Sequence, residues 1–164
     1  MSNMIIADSC SLILLEKADM LKVLLNFTKI IIPQAVFQEV VVNGISKGFT
    51  DAQAIQQYIE IKKIIIKNVE IIERYNITLQ QGELEAINLY KKIKADILIT
   101  DDKKAMKICG IENIKYITTI QIIIDLFNSK KIKKENALDA IKIVSKKGRY
   151  KEYIISEALE LIKG

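Results

Sequence analysis

Short apolar runs alternate along the chain with segments whose apolar residues recur at helical spacing. Isoleucine-rich runs that predict strands lie at 4–7, 29–32, 64–66, 96–100 and 115–117, with 69–72 as a further candidate. Helical spacing predicts helices at 11–18, 19–27, 34–42, 52–61, 80–94, 102–109, 119–127, 134–145 and 155–162. Strands that alternate with helices predict βαβ units, and therefore an α/β fold with a mainly parallel sheet covered on both faces.

A few residues predict where elements begin and end. Pro33, the only proline, is well placed to open the helix at 34–42, which Asn43-Gly44 is expected to end. Thr78 and Gln81 have the spacing of a capping box for the helix at 80–94, and Gly110 is expected to end the helix at 102–109. We expect one domain over residues 1–164, with the helical segment from about 119 packing on it or extending it.

Composition narrows the class of protein. Hydrophobic residues make up 50% of the 164 residues and charged residues 27%, which is typical of a globular chain. The net charge is +5, and a surface from which the acids are drawn into one site would be more basic still and would attract nucleic acid. A lysine-rich surface that only keeps the protein soluble is the alternative. Because histidine is absent, histidine-dependent nucleophilic catalysis and histidine-ligated zinc are excluded.

The cysteines and the apolar runs indicate the cellular compartment of the protein. Cys10 and Cys109 form neither a metal-binding spacing nor a disulfide framework, so we expect both to be reduced in a cytoplasmic protein. The longest apolar runs are far shorter than the ~20 residues that cross a bilayer, and no signal peptide is visible. The expected protein therefore has no membrane partner.

Acidic residues follow two of the predicted strands. Asp8 follows the first strand, while Asp101 and Asp102 follow the fourth. The carboxyl ends of parallel strands meet at one edge of the sheet, where open α/β folds place their sites. Carboxylates that converge there repel one another unless a divalent cation holds them, which predicts a magnesium or manganese site.

Further acids lie on predicted helices. Glu39 is surrounded by apolar residues, so burying it requires a partner that offsets its desolvation. Glu83 and Glu85 are two positions apart and point to different sides of their helix, so only one of them reaches the site. Glu83 is preferred because it lies in the first turn, where the positive end of the helix favours an anion.

Each acid also has an ordinary explanation. Asp101 or Asp102 can simply cap the following helix, and Glu83 can be a first-turn acid that the helix dipole favours. Glu39 can point to solvent and pair with a lysine. Asp8 is the hardest to explain in this way, because a buried strand rarely ends in Asp-Ser without a reason.

Taken together, these segments resemble the PIN-domain family. Residues 5–9 resemble the opening strand and acid of that family, although Cys10 stands where a small residue is usual. Residues 31–40 resemble the strand, proline and helix that carry the second acid. Residues 82–87 resemble the Gly-Glu segment of a subgroup that includes predicted nucleic-acid-binding proteins, and residues 98–105 resemble the last acidic motif. The resemblance runs from Ile5 to about Ile155.

The resemblance implies a three-layer α/β/α sandwich with a metal-dependent nuclease site that uses Mg²⁺ or Mn²⁺ and has RNA as its substrate. It carries over four catalytic residues and metal ligands, bound directly or through water: Asp8, Glu39, Glu83 and Asp101. Asp102 is a further ligand or the alternative to Asp101, and Glu85 is the alternative to Glu83. Many small PIN proteins are VapC-like toxins, so the resemblance also implies a toxin–antitoxin pair, with an antitoxin protein as partner, and a homodimer.

The implied reaction is phosphodiester hydrolysis by water that the cation activates. Ser9 and Thr100 are candidates to orient a water or a phosphate, and four basic residues are candidates to contact the RNA backbone: Lys103, Lys104, Arg149 and Lys151. Plain solvated surface is the alternative for these cations. The alternative function is a non-catalytic PIN-like module that binds nucleic acid or protein. A receiver-like signalling domain is disfavoured because neither a mid-strand phosphoacceptor aspartate nor a late lysine is clearly placed.

Overall fold

The computed structural model describes residues 3–148 and 150–164. It contains a five-stranded sheet in the order β3-β2-β1-β4-β5, and every neighbouring pair is parallel. The strands are β1 (Ile5–Ala7), β2 (Ile30–Pro33), β3 (Ile64–Lys67), β4 (Ile97–Ile99) and β5 (Tyr116–Ile117). The predicted α/β fold with a parallel central sheet is confirmed, and β1 is its central strand.

In the part of the chain that the structure describes, ten α-helices and one π turn connect and follow these strands. They are α1 (Ser9–Lys17), α2 (Leu21–Leu25), α3 (Gln34–Phe37), the π turn (Gln38–Val42), α4 (Asn43–Ser46), α5 (Thr50–Glu60), α6 (Gln81–Ile93), α7 (Lys103–Glu112), α8 (Thr119–Asn128), α9 (Lys134–Lys147) and α10 (Glu152–Lys163). In the described ranges, no helix is long and apolar enough to cross a membrane.

Alternating side chains of the central strands fill two cores. Ile6, Ile31 and Leu98 pack on one face of the sheet with apolar side chains of α6 and α7. Ala7, Ile32 and Ile99 belong to the other core, which includes residues of α1, α5, α8, α9 and α10. Strands that are apolar on both faces are expected where helices cover both sides of a parallel sheet.

The sheet also fixes where helices begin. Asp8, Pro33, Asp102 and Thr118 are the N-caps of α1, α3, α7 and α8, and each lies within three residues of the end of a strand. Since all strands are parallel, these four helix N-termini gather along the carboxyl edge of the sheet. The same edge therefore carries the acids at 8, 101 and 102.

The predicted strand at 69–72 is wrong. Ile72 is 81% exposed, and the backbone N–H groups of Ile72 and Glu73 donate to the side-chain oxygen of Asn88 instead of to a strand. The buried Asn88 also donates to the carbonyl oxygens of Glu73 and Leu84, so its amide makes four hydrogen bonds. Because the Asn88 side chain satisfies these backbone groups, the segment does not need hydrogen bonds to a neighbouring strand.

The predicted capping box at Thr78 is also wrong. The N-cap of α6 is Gln80, which makes no side-chain capping bond. A complete capping box lies at α8, where the Thr118 hydroxyl accepts from the Gln121 N–H and the Gln121 side chain accepts from the Thr118 N–H. A spacing of Thr-x-x-Gln thus identifies a box only where the threonine has the extended backbone of an N-cap.

Two helices run past the glycines that were expected to end them. The helix from Gln34 continues through the π turn to Ser46, because Gly44 packs against α5, where a Cβ at 44 would lie 2.6 Å from the Ala52 Cβ. Helix α7 continues through Gly110 and ends at Asn113, which adopts the left-handed conformation with φ 55°. The loop between α4 and α5 is correspondingly short, at residues 47–49.

Candidate active site

Asp8 is the most deeply placed of the acids. Its backbone N–H donates to the Ile99 carbonyl (3.2 Å), which extends the contact between β1 and β4 by one residue. One carboxylate oxygen, Oδ1, accepts from the Ser11 N–H (3.0 Å) and so caps α1. The residue is 1% exposed, and its Oδ2 is buried with no hydrogen-bond partner among the described residues. Burial raises the pKa of Asp8 to about 6.

Glu83 and Glu85 lie on different sides of α6. Burial, and then the negative charges of Asp102 and Asp8, raise the pKa of Glu83 to about 7, so Glu83 faces those two acids. Glu85 instead accepts from the Ala35 N–H (3.0 Å) and from the Gln81 side chain (2.9 Å). Glu85 therefore holds the start of α3, and Glu83 is the residue that the structure brings to Asp8.

Asp101 and Asp102 also have different surroundings. Asp101 accepts from the Thr119 N–H (2.8 Å) and from the hydroxyl groups of Ser11 (2.6 Å) and Thr119, so both of its oxygens have donors. Burial raises its pKa, although these hydrogen bonds act in the opposite direction. Asp102 uses one oxygen to cap α7, accepting from the Ala105 N–H (2.9 Å). Asp102 therefore caps a helix, as its ordinary explanation predicted, and it also faces Glu83.

Glu39 is held between α1 and α6. Its Oε2 accepts from the Ser9 hydroxyl (2.6 Å) and its Oε1 from the Gly82 N–H (3.0 Å). A Cβ at position 82 would lie 2.9 Å from the Ser9 oxygen and 3.0 Å from both carboxylate oxygens, so this approach requires glycine. The π turn that carries Glu39 shifts the register of its helix, and π turns occur frequently at functional sites.

Cys10 lies at the edge of the acidic group. It is exposed at the surface, while partial burial of the thiol and then the charges of four acids raise its pKa to about 11. Those acids are Asp8, Asp101, Asp102 and Glu83. The same four carboxylates therefore surround one position, which shows that the fold gathers them although they come from three separate segments.

The charge of this group is not offset within the described ranges. The ion pairs found there join Lys17 to Asp51 and Lys91 to both Glu73 and Glu112, and they involve none of the predicted site acids. Equally, the described ranges contain no group of three or more acidic, cysteine or histidine side chains whose geometry could hold a metal ion. The acids are close, but several of their oxygens are directed at hydrogen-bond donors instead of at one common point.

The donor set nevertheless fits a hard divalent cation. Mg²⁺ prefers oxygen ligands, needs only one or two direct carboxylates and keeps several waters, so a preformed group of three is not required. The unpartnered Oδ2 of Asp8 supplies one such ligand next to Glu83 and Asp102.

Comparison with known proteins places the chain in a family. The family model described as "DUF3368: PIN domain" matches residues 4–164. The chain belongs to the PIN-domain family. Its predicted family is thus confirmed, and with it the coarse expectation of a nuclease-type fold, since PIN domains are commonly nucleases and generally use divalent metal ions.

Two further comparisons add little to the PIN assignment. A solved PilT N-terminus domain protein from the hyperthermophilic archaeon Sulfolobus solfataricus P2 is similar, with 18% sequence identity and a TM-score of 0.48 over 73% of this chain and 90% of that one. No curated protein matches the chain.

Sequence reasoning missed residues that hold the acids of this PIN domain. Ser11 lies three positions after Asp8, a spacing from which a cap could have been inferred, whereas Thr119 is 18 positions from Asp101 and gives no local signal. Ser9 bonds to Glu39, a contact that the sequence does not indicate. The buried Thr100 hydroxyl accepts from the Asp102 N–H (3.3 Å), and hydrogen bonding with Thr100 lowers the pKa of Asp8 against the larger effect of burial.

Proposed function

We propose that this PIN-domain protein is a Mg²⁺- or Mn²⁺-dependent endoribonuclease. The observation that carries the proposal is the Oδ2 of Asp8, a buried carboxylate oxygen without a partner among the described residues, next to Glu83 and Asp102. Burying a carboxylate without compensation is costly, and proteins retain such an arrangement where a ligand offsets it. A divalent cation is the ligand that an all-oxygen, acidic group of this kind recognises.

Different acids would have different roles toward the cation. Asp8, Glu83 and Asp102 would hold it, because each faces the others and has carboxylate oxygen not fully used by backbone donors. Asp101 and Glu39, whose oxygens accept from hydroxyl and backbone donors, would act through water or by fixing the elements around the site. When bound, the cation supplies Lewis acidity, which activates water and offsets charge that develops on the phosphate.

Residues of the chain prepare the site for this chemistry. The Ser11 N–H fixes the Asp8 carboxylate through Oδ1, and Oδ2 has no hydrogen-bond partner among the described residues. Asp101 accepts from Ser11 and Thr119 and so joins the N-termini of α1 and α8 at the edge of the sheet. Without the cation, Glu83, whose pKa is raised to about 7, can hold a proton at its carboxylate near neutral pH, and a bound cation would displace that proton.

The proposal extends to substrate and partners. RNA is the proposed substrate, and the excess of basic residues over the whole chain favours a polyanion once five acids are placed in one site. We propose that the protein acts as the toxin of a toxin–antitoxin pair in the cytoplasm, as a homodimer neutralised by an antitoxin protein. Size-exclusion chromatography with light scattering tests the dimer, which a monomer at micromolar concentration would contradict.

The rival function is a PIN-like module that binds nucleic acid or protein without cutting it. The lack of a preformed metal-binding group within the described ranges favours this rival. The two functions differ in whether RNA is cleaved when a cation is added.

Cleavage of a mixed set of structured and single-stranded RNAs tests the proposal directly. Wild-type protein, Asp8→Asn and the exposed control Asp139→Asn are compared in Mg²⁺, Mn²⁺ and EDTA. We expect cation-dependent cleavage by wild type and control and a loss of at least about 100-fold in Asp8→Asn, because the variant removes a charged ligand. RNA binding without cleavage would establish the rival, and equal cleavage by all three would place the activity elsewhere.

A further inference from the structure

A groove of about 850 Å³ runs beside β5, along the open edge of the sheet. Its walls come from α7, α8 and α10, and its lining includes Asp101 and Thr118 at the carboxyl edge. Asp101 thus belongs both to the acidic group and to the lining of the groove, so the groove adjoins the acidic site at this residue.

The mouth of the groove is cationic. Lys103 begins α7 and Lys151 is the N-cap of α10, and both exposed side chains line the groove. Neither of them forms an ion pair within the described part of the chain. Asp125 and Glu157 line the groove from the second turns of α8 and α10, further from the mouth, and the exposed Lys115 lines it beside Tyr116. The two ammonium groups at the mouth attract one phosphate.

The wall of the groove offers an aromatic surface. Tyr116 is 38% exposed at the start of β5, two positions before Thr118 and therefore about 7 Å along the strand from the mouth. Apolar side chains, Met106 and Ile154 among them, line the same space. Tyr150 also lines it, with its hydroxyl group buried.

We infer that this groove binds the nucleotide next to the scissile phosphate of a single-stranded RNA. The neighbouring phosphate lies between the ammonium groups of Lys103 and Lys151, and the base lies against the ring of Tyr116. Stacking on an aromatic ring tolerates any base, while the ammonium groups recognise the backbone, so the subsite selects single strands without selecting a sequence. The inference rests on the proposed function, because it assumes that the acids mark the scissile bond.

Equilibrium binding tests the subsite without relying on cleavage. Fluorescence anisotropy of a labelled eight-nucleotide single-stranded RNA is measured in EDTA over a range of salt concentrations. The variant Lys103→Gln/Lys151→Gln is compared with wild type and with Lys142→Gln/Lys146→Gln, which removes two exposed lysines of α9 that do not line the groove. Tyr116→Leu is compared with Tyr153→Leu, a tyrosine of α10 that is 60% exposed and does not line the groove.

Losing this one phosphate contact should weaken binding about fivefold at 0.1 M salt and flatten the slope of log K against log [salt] by about 0.7. Tyr116→Leu should weaken binding by at least about fivefold without changing that slope, since stacking releases no counterions. The matched controls should behave as wild type. Groove variants that bind as tightly as their controls would overturn the subsite, whether or not wild type cleaves RNA. If wild type cleaves nothing but the groove variants still lose affinity, the subsite stands and the nuclease function fails.

Discussion

Helix α6 has acidic residues near both of its ends, and the two groups of acids differ in whether a lysine pairs with them. Near its C-terminal end, Lys91 forms ion pairs with Glu73 and with Glu112 (2.8 Å), so one cation joins two acids. At its N-terminal end, Glu83 faces Asp8 and Asp102, and no ion pair within the described residues offsets them.

The two arrangements have opposite effects on protonation. Hydrogen bonds from Lys91 and Tyr75 lower the pKa of Glu73, whereas burial and neighbouring carboxylates raise the pKa of Glu83 to about 7. The chain has 25 basic residues, yet within the described residues a lysine pairs with the acids at only one end of this helix. The comparison teaches that acids with a cationic partner ionise more readily, while acids that are buried together hold their protons.

The largest expected effect separates Glu83 from Glu85. Glu83→Gln should lower cleavage by at least about 100-fold, because it removes a charge that faces Asp8 and Asp102. Glu85→Gln should lower cleavage by less than about tenfold, because its amide oxygen can still accept from the Ala35 N–H. Single-turnover rates on an RNA that wild type cuts measure both. Equal losses would show that α6 presents both acids to the site.

A smaller effect concerns the free energy of unfolding. Asp8 and Glu83 have raised pKa values of about 6 and 7 in the folded protein, so the folded state binds protons more tightly than the unfolded chain does. Their contribution to stability is therefore fully present below the pKa values of the unfolded chain, about 4, and is lost as pH rises from there through 6 to 7. Urea denaturation in EDTA should show that wild type is more stable at pH 5 than at pH 7.5, by about 1 kcal/mol for Asp8, because part of the loss has already occurred below pH 5.

Two comparisons make this pH dependence specific. Asp8→Asn cannot ionise at position 8, so the part of the difference between pH 5 and pH 7.5 that belongs to Asp8 should disappear, while the part that belongs to Glu83 remains. Adding Mn²⁺ should stabilise wild type at pH 7.5 and have little effect at pH 5, where protons compete for the same oxygens. A protein that becomes more stable between pH 5 and 7.5 in EDTA would contradict the raised pKa values.

The smallest effect is expected at the paired end of α6. Lys91→Met should lower the melting temperature by only a few degrees, since the pairs it breaks are near the surface and screened by salt. Cleavage should stay within about twofold of wild type, because Lys91 bonds to Glu73 and Glu112 and to neither Asp8 nor Glu83. Thermal melts at low and high salt, together with cleavage rates, give both numbers. A large loss of cleavage with the fold intact would mean that the two ends of α6 are coupled.

Much of the fold can be predicted from the sequence because its strands are short, isoleucine-rich and apolar on both faces. That pattern is local, and it places Asp8 and Asp102 near strand ends without knowledge of any contact. The strand at 69–72 could not be rejected locally, because its backbone partner is the side chain of Asn88 on a later helix. The capping box failed for a related reason: residue spacing does not report the backbone conformation of Thr78.

The candidate site could also be predicted only in part, because some of its contacts are long-range. The spacing of Glu83 and Glu85 predicts that they point to different sides, but which of them meets Asp8 depends on how α6 is rotated about its axis. That rotation is fixed by long-range contacts, such as the bond from the Gly82 N–H to Glu39 and the bond from the Ala35 N–H to Glu85. The use of Asp101 as a bond acceptor depends on Thr119, whose position is set by β5 and by the start of α8.

The π turn at Gln38–Val42 makes the position of Glu39 sensitive to the number of residues in this segment. A π turn has the form of an α-helix into which one residue has been inserted. Because the wide turn absorbs the extra residue, deleting one residue there would restore an ordinary helix and leave Gly44 in place against Ala52. Only the side chains of the turn itself would change direction, so Glu39 would leave Ser9 and Gly82. Homologues that differ in length are therefore expected to differ elsewhere, for instance in the exposed segment before α6, and to keep the same number of residues between Pro33 and Gly44.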